Sequence, residues 1–454
     1  ENAHNRSKLF SWDKSANTAL DIFRRLLVNK ENRKRVESYS TFKSQINNIF
    51  NELESQQLTD LDISRLSSCI DLIDLQINSL NQFHGTNNFT SWRIEGPFDS
   101  NYSLAILNRE YVLSLLKLSN KVEISITEGN GDYEPDINFL KGNDEIYKLY
   151  LNSKNKKSTC KIVSRNLYPP RVTKMNGSIN MIHAYGWEET QFPLEWSYSF
   201  NKHLDCITVM SDFVKKILID NGVSIPIRVC HLGVDHISES SASSNYQIKA
   251  KKFRFLHISS CFPRKGVNCL LKAYEKAFTR DDDVTLVVKT FPNPHNDLRH
   301  QLNILKDKND HFPDVLIIED DLDIEEIRSL YTSCDALVAP SHGEGFGLPI
   351  AEAMLLKLPV ITSAWGGQID FCNSKNSWLI DYKFSYSKTH FGLQSSVWAN
   401  PSILHCSKLM KEVYDLDSSA VNSKTSEAYN TIKNAKFTWD CVAKSNVNFV
   451  ENIT

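Results

Sequence analysis

Glycine is scarce in this chain, with 16 residues in 454. Long apolar runs are missing too: none approaches the roughly 18 residues needed to cross a bilayer. Neither sign of charge dominates. Lys and Arg number 52 against 54 Asp and Glu, a net charge of −2, so composition gives no reason to expect nucleic acid as a partner. The ten cysteines are scattered and contain no Cys-x-x-Cys pair. That removes zinc-site spacing and leaves buried free thiols of a reducing compartment as the reading. The first residues, "ENAHNRSKLFSW", hold no apolar signal region and no Met. They read as the start of a processed or excised segment.

What is present is ordinary globular composition, 41% apolar and 23% charged, in a chain long enough for two or three domains. Residues 1–90 are polar, with Leu and Ile at helical spacing, and are expected to form a helical arm. From residue 91 the pattern alternates. "WRIEGPF", "KVEISITE", "SINMIHAY", "DCITVMS" and "IRVCHLG" read as strands. "YSLAILNREYVLSLLKLS" and "SDFVKKILIDNG" read as helices between them. The cycle restarts near residue 252 with "FRFLHIS", "VTLVVKT", "DVLIIED" and "DALVAPS". Alternation of this kind predicts α/β halves, each with a parallel sheet covered on both faces. The expected boundaries are 91–236 for the first half, 237–430 for the second, and 431–454 for a helix returning to the first. Ser-rich residues 231–250 are expected to act as a hinge.

Two short stretches echo each other. Residues 10–16, "FSWDKSA", and 437–443, "FTWDCVA", share F-[S/T]-W-D-x-x-A. Beyond coincidence, the echo suggests that the chain opens on the tail of an upstream module, one of a tandem set.

The few glycines cluster. Gly343, Gly345, Gly347, Gly366 and Gly367 fall within 25 positions, around Glu344 and Glu352. A glycine loop between a buried strand and a helix starting near Pro349 would expose unpaired N–H groups and a positive dipole end. Such a seat suits a phosphate or sugar hydroxyls. The carboxylates would repel a phosphate but could accept from neutral hydroxyls. A first-turn position would also let Glu352 favour the dipole. A nucleotide sugar carries both groups. "EDD" at 319–321 precedes a helix and reads as capping.

These residues resemble a known family. "EGFGLPIAE" resembles the E-x7-E motif of retaining family-4 glycosyltransferases of GT-B fold, followed by "PVITSAWGGQIDF". "GVD" at 233–235 and "PRKG" at 263–266 extend the likeness, which covers about 91–454. "EGPFDSNYSLA" and "YGWEETQFPLEW" are similar to bacterial surface-polysaccharide members.

The resemblance implies two Rossmann-like domains facing a cleft. It implies transfer of a hexose from a GDP- or UDP-linked donor to a glycan or lipid-linked saccharide, without metal or other cofactor. Glu344 would sit beside the donor sugar, and Glu352 would accept from the ribose. Lys265, with Arg264 beside it, would hold the diphosphate. The amides of Gly345, Phe346, Gly347 and Leu348 would line the seat, and Gly96 would stand where the first domain usually has a glycine pair. His183 is the candidate contact to the reacting sugar. Asn101, Tyr102, Trp187 and Glu188 are the candidates for the acceptor. The location implied is cytoplasmic, peripheral at the inner face of a membrane.

Three positions depart from the pattern. Ser259 stands where many members carry Arg, Lys357 where a glycine is usual, and Gly96-Pro97 where the glycine pair is usual. They keep a second possibility open: a catalytically degenerate module that binds glycan or scaffolds a neighbour. Another GT-B activity, such as a phosphorylase or an epimerase, is the third.

Overall fold

The computed structural model describes residues 91–118, 121–127, 134–154, 160–243, 246–388 and 392–453. The expected arm at 1–90 and the first copy of the repeated motif lie outside them. β1 (Ser91–Gly96), β2 (Lys121–Ile126), β3 (Ile162–Arg165), β4 (Ile179–Tyr185), β5 (Cys206–Val209) and β6 (Ile227–Val229) form one parallel sheet, in the order β2-β1-β3-β4-β5-β6. β7 (Phe253–Ile258), β8 (Val284–Lys289), β9 (Asp314–Ile318), β10 (Ala336–Ala339), β11 (Val360–Ser363) and β12 (Trp378–Ile380) form a second, in the order β12-β11-β10-β7-β8-β9. Both are doubly wound, as the alternation predicts.

The sheets hold because both faces are covered. In the helix Val267–Ala277, Val267, Leu270, Leu271 and Tyr274 fall on one stripe and are buried. They join Phe255, Leu286 and Val338 from the sheet in one core. Each such side chain contributes about 1.5–3 kcal/mol when fully buried. The Tyr274 hydroxyl, itself enclosed, donates to the Asp314 carbonyl at 2.8 Å. On the first sheet, Leu107, Tyr111 and Leu115 of the helix Ser103–Lys117 are buried at the same spacing.

Several expectations need correcting. Glu319 to Asp321 do not cap the next helix, Ile324–Thr332. Asp323 does, in a reciprocal pair with Glu326. The helix after the glycine loop, Leu348–Leu355, places Glu352 beyond its first turn, so the dipole does not explain that carboxylate. The start of the 231–250 segment is no free hinge: Leu232, Val234, His236 and Ile237 are buried. The helix Trp439–Glu451 explains why. The Trp439 amide donates to Asp235 at 2.9 Å, and its indole N–H donates to His236 at 3.1 Å. A Cβ on Gly233 would lie 2.4 Å from Trp439. Further along this helix, Asn446 accepts from Thr208 of the first sheet at 2.6 Å.

The sequence reading missed an antiparallel hairpin, β13 (Tyr382–Tyr386) with β14 (Val397–Pro401). The nine described cysteines are all free.

Candidate active site

In the second sheet the chain runs outward from β7 through β8 to β9, then restarts on the other side with β10. The strand order therefore reverses between β7 and β10. Crevices outside the carboxyl ends of such strands are where open α/β sheets bind ligands. The segment after β7 brings Arg264 and Lys265; the loop after β10 brings Glu344. Lys265 Nζ lies 2.7 and 2.8 Å from the two Glu344 oxygens. Ser341 Oγ donates to Glu344 at 2.7 Å. Arg264 lies 3.5 Å from Glu344 and 3.1 Å from Glu188.

Electrostatics follow from this packing. Burial pushes the Glu344 carboxyl up, but Lys265 and Arg264 overcome it and hold the group below its ordinary value. Burial and the neighbouring Arg264 lower Lys265, against the pull of Glu344. Arg264 is raised: burial opposes its charge, but Glu188 and Glu344 prevail.

Beside this cluster, Gly345, Phe346, Gly347 and Leu348 are all buried. Among the described residues, no protein group accepts from any of their four amides. They lead into a helix N-terminus, where an anion can satisfy such donors. Gly347 enters the helix at φ 90°, a left-handed conformation that favours glycine.

The other glycines serve a different purpose. A Cβ on Gly343 would lie 2.0 Å from the Glu188 carbonyl oxygen of the first half. One on Gly345 would meet Met210 and Trp187 at 3.1 Å, and one on Gly367 would lie 1.9 Å from the Gly345 carbonyl oxygen. Ser211 Oγ donates to that carbonyl at 2.5 Å. The cluster thus lets backbone of the two halves touch around Glu344.

Glu352 is buried, with both oxygens engaged. His236 Nε2 lies 3.0 Å from one, and the Tyr331 hydroxyl donates to the other at 2.7 Å. Trp439 donates to Nδ1 of His236, so Nε2 carries the proton given to Glu352. A carboxylate offers about four acceptor directions, so two remain for a ligand.

The first half answers some expectations differently. His183 does not reach the cleft. It is 0% exposed, with Nδ1 2.7 Å from Ser164 and Nε2 2.9 Å from Asn108, and it stacks on Tyr111. Burial lowers its pKa to about 3. Trp187 is core rather than a sugar platform: it is buried, donates to the Gln191 carbonyl at 2.7 Å, and packs on Phe192 and Trp196. Gly96 ends β1 at φ 155°, and a Cβ there would lie 2.3 Å from the Asn166 carbonyl oxygen. That close approach fills its space from inside the first half.

Glu188 is spent partly on Arg264. Asn101 reaches Asp321 and the Leu322 carbonyl of the second half at 3.5 and 3.4 Å, and Tyr102 is 38% exposed. Ser259 turns inward, 2.8 Å from His257 Nε2, and accepts from the Cys261 amide at 3.0 Å. It therefore does not replace a cleft arginine. Lys357 takes the left-handed conformation, φ 59°, that its position demands. Sequence reasoning missed Ser341 and Ser211. The hairpin had a visible signal, the period-2 alternation Tyr382, Phe384, Tyr386.

The two reversing sheets around this crevice define a GT-B architecture, and known proteins agree. A solved glycosyltransferase from Rickettsia africae superposes with TM-score 0.59 at 15% identity, over 81% of this chain and 99% of that one. Residues 239–386 match the family described as glycosyl transferases, group 1. An MMP alpha-(1->4)-mannosyltransferase of Mycolicibacterium hassiacum is 32% identical over 168 residues, 36% of this chain and 37% of that protein. A probable sucrose-phosphate synthase of Thermosipho melanesiensis is 24% identical over 267 residues, 58% of this chain and 53% of that protein. The chain thus spans between about a third and about half the length of these curated relatives.

Proposed function

We propose that the chain transfers a hexose from a nucleoside diphosphate sugar to a hydroxyl of a glycan or lipid-linked saccharide, retaining the anomeric configuration. The observation that carries this reading is the row of four unaccepted amides of the buried residues 345–348 beside Lys265. Those amides suit the phosphate of a donor, and Lys265 would offset charge on the departing diphosphate without a metal. The bond between the sugar's anomeric carbon and the phosphate oxygen breaks. The acceptor oxygen bonds to that carbon on the same face, and its proton passes to the leaving phosphate. Glu352 would use its two remaining acceptor directions on the ribose. Similarity to a mannosyltransferase leans the donor toward a GDP-linked mannose. Action at the inner face of a membrane, and tandem modules in a longer chain, belong to the same proposal.

A second reading is favoured by one observation. Glu344 and Glu188 already neutralise Lys265 and Arg264, and Ser259 adds no charge. A glycan-binding or scaffolding module without turnover fits that balance. Incubation with a panel of nucleotide sugars and mannose oligosaccharides, followed by NMR of the product's anomeric proton, separates the two. The transferase reading expects a product with retained configuration from one donor, lost in Glu344→Gln. Inversion, or no product from any donor, contradicts it.

A further inference from the structure

The hairpin β13–β14 presents a strip of aromatic rings that neither sheet uses. Alternation along a strand puts Tyr382, Phe384 and Tyr386 on one face. On the opposite face Ser385 accepts from the buried Trp398 indole at 3.2 Å, and Trp398 stacks on His342. The outward rings stay in solvent, Phe384 58% and Tyr386 69% exposed.

The strip is continuous with the candidate site. Phe213 of the first half meets Trp365 at 4.7 Å between ring centroids. Trp365 meets Phe384 at 5.8 Å, and Phe384 meets Tyr382 at 5.3 Å. Trp365 immediately precedes Gly366 and Gly367, and the Gly367 amide donates to the Glu344 carbonyl at 2.7 Å. Ring contacts therefore lead from the loop beneath Glu344 out to solvent.

The hairpin is also fixed across the cleft. Thr190 and Val397 exchange two hydrogen bonds: the Thr190 amide donates to the Val397 carbonyl at 3.2 Å, and the Val397 amide to Thr190 Oγ1 at 2.8 Å. Ser387 donates to Glu189 at 2.5 Å.

We infer that Phe384 and Tyr386, with Trp365 at the inner end, form a saccharide subsite that holds the sugar rings of the acceptor chain. This rests on the glycosyl-transfer reading and moves the acceptor away from Trp187, which is buried. Pyranose rings have apolar C–H faces and a hydroxyl rim. They suit a narrow strip of rings with the Tyr386 phenol at its exposed end. A protein partner would call for a wider continuous apolar patch.

Affinity electrophoresis of the whole chain through gels containing yeast mannan, dextran or a galactan tests this without turnover. At least one polysaccharide is expected to retard the protein. The double variant Phe384→Ser/Tyr386→Ser should bind about tenfold more weakly, as loss of two stacking contacts implies. It should stay folded, with a thermal midpoint lowered only by the loss of the Phe384 ring contacts, and its calorimetric affinity for free UDP, GDP and ADP should be unchanged. No retardation by any of the three, or equal retardation of the variant, overturns the subsite. So does light scattering showing a dimer that the variant abolishes, which would assign the strip to a second copy. Nucleotide binding absent while glycan binding persists would defeat the transfer reading and leave the subsite standing.

Discussion

Lys265 and Glu344 are 79 residues apart in sequence, yet the lysine ammonium touches both oxygens of the carboxylate, at 2.7 and 2.8 Å, with the lysine side chain 14% and the glutamate 9% exposed. The pair spans the point where the second sheet reverses direction. Removing Lys265 leaves Glu344 with Arg264, 3.5 Å away, as its remaining counter-charge. Lys265→Ala is expected to destabilise the fold, by less than the roughly 3–5 kcal/mol of a wholly unpaired buried charge, read as a drop in the urea midpoint. Lys265→Ala/Glu344→Gln should recover most of that loss, because no buried charge is left unmatched. Equal destabilisation in single and double variants would mean that the pair is not the coupling seen here.

Gly343→Ala and Gly222→Ala form a matched comparison. A Cβ at 343 meets the Glu188 carbonyl oxygen at 2.0 Å, whereas Gly222, φ 85°, has nothing within 4 Å. Strain in the left-handed region costs about 1–2 kcal/mol at 222 and leaves the shape unchanged. At 343 the contact between halves must open. Small-angle scattering should show a larger radius of gyration for Gly343→Ala alone. No change in radius would show that the loop absorbs the methyl locally.

His183 sets a pH window. Its folded value, about 3, lies below the ordinary 6.5 because burial disfavours the charged ring. The unfolded chain therefore takes up the proton first as pH falls. Stability is full above about pH 6.5 and is lost by about 1.4 kcal/mol per pH unit below it, until the folded value is reached. His257 and His231, each lowered to about 4 mainly by burial, act with the same sign. Urea midpoints measured from pH 7 to 4 should fall steeply. His183→Asn should flatten the slope by about one proton's worth; an unchanged slope would show that His183 is not the titrating group.

Much of the fold is legible in local sequence pattern. Runs such as "VTLVVKT" and "DALVAPS" marked buried strands, and the glycine loop around Glu344 followed such a strand; Lys265 entered only through the family resemblance. What was not legible depended on distant partners. His183 sits on a strand read correctly. Its enclosure by Ser164 and Asn108, 19 and 75 positions away, is a property of sheet order rather than local pattern. Trp187 joined an aromatic core for the same reason. Glu352 read as a dipole partner because helix onset was placed too late; its engagement with His236 and Tyr331 comes from two other elements.

Lys357 keeps a backbone conformation that costs about 1 kcal/mol for a non-glycine residue. Its ammonium sits 4.9 Å from the Tyr429 ring centroid, a contact contributing about 0.5–1 kcal/mol at an exposed site. Lys357→Gly should therefore shift the thermal midpoint little. Lys357→Gly paired with Tyr429→Leu should be more stable than Tyr429→Leu alone by about 1 kcal/mol, since only the strain term remains. No difference between those two variants would show that the strain is relaxed elsewhere.

The amides of residues 345–348 and Lys265 are proposed to form a seat for a nucleoside diphosphate. Calorimetric titration of UDP, GDP and ADP into the wild type and into Lys265→Met tests it most directly. One nucleotide is expected to bind, about 30-fold or more weakly in the variant, as loss of a charge-assisted contact implies. No binding by any nucleotide to folded protein, or equal binding by the variant, would contradict it.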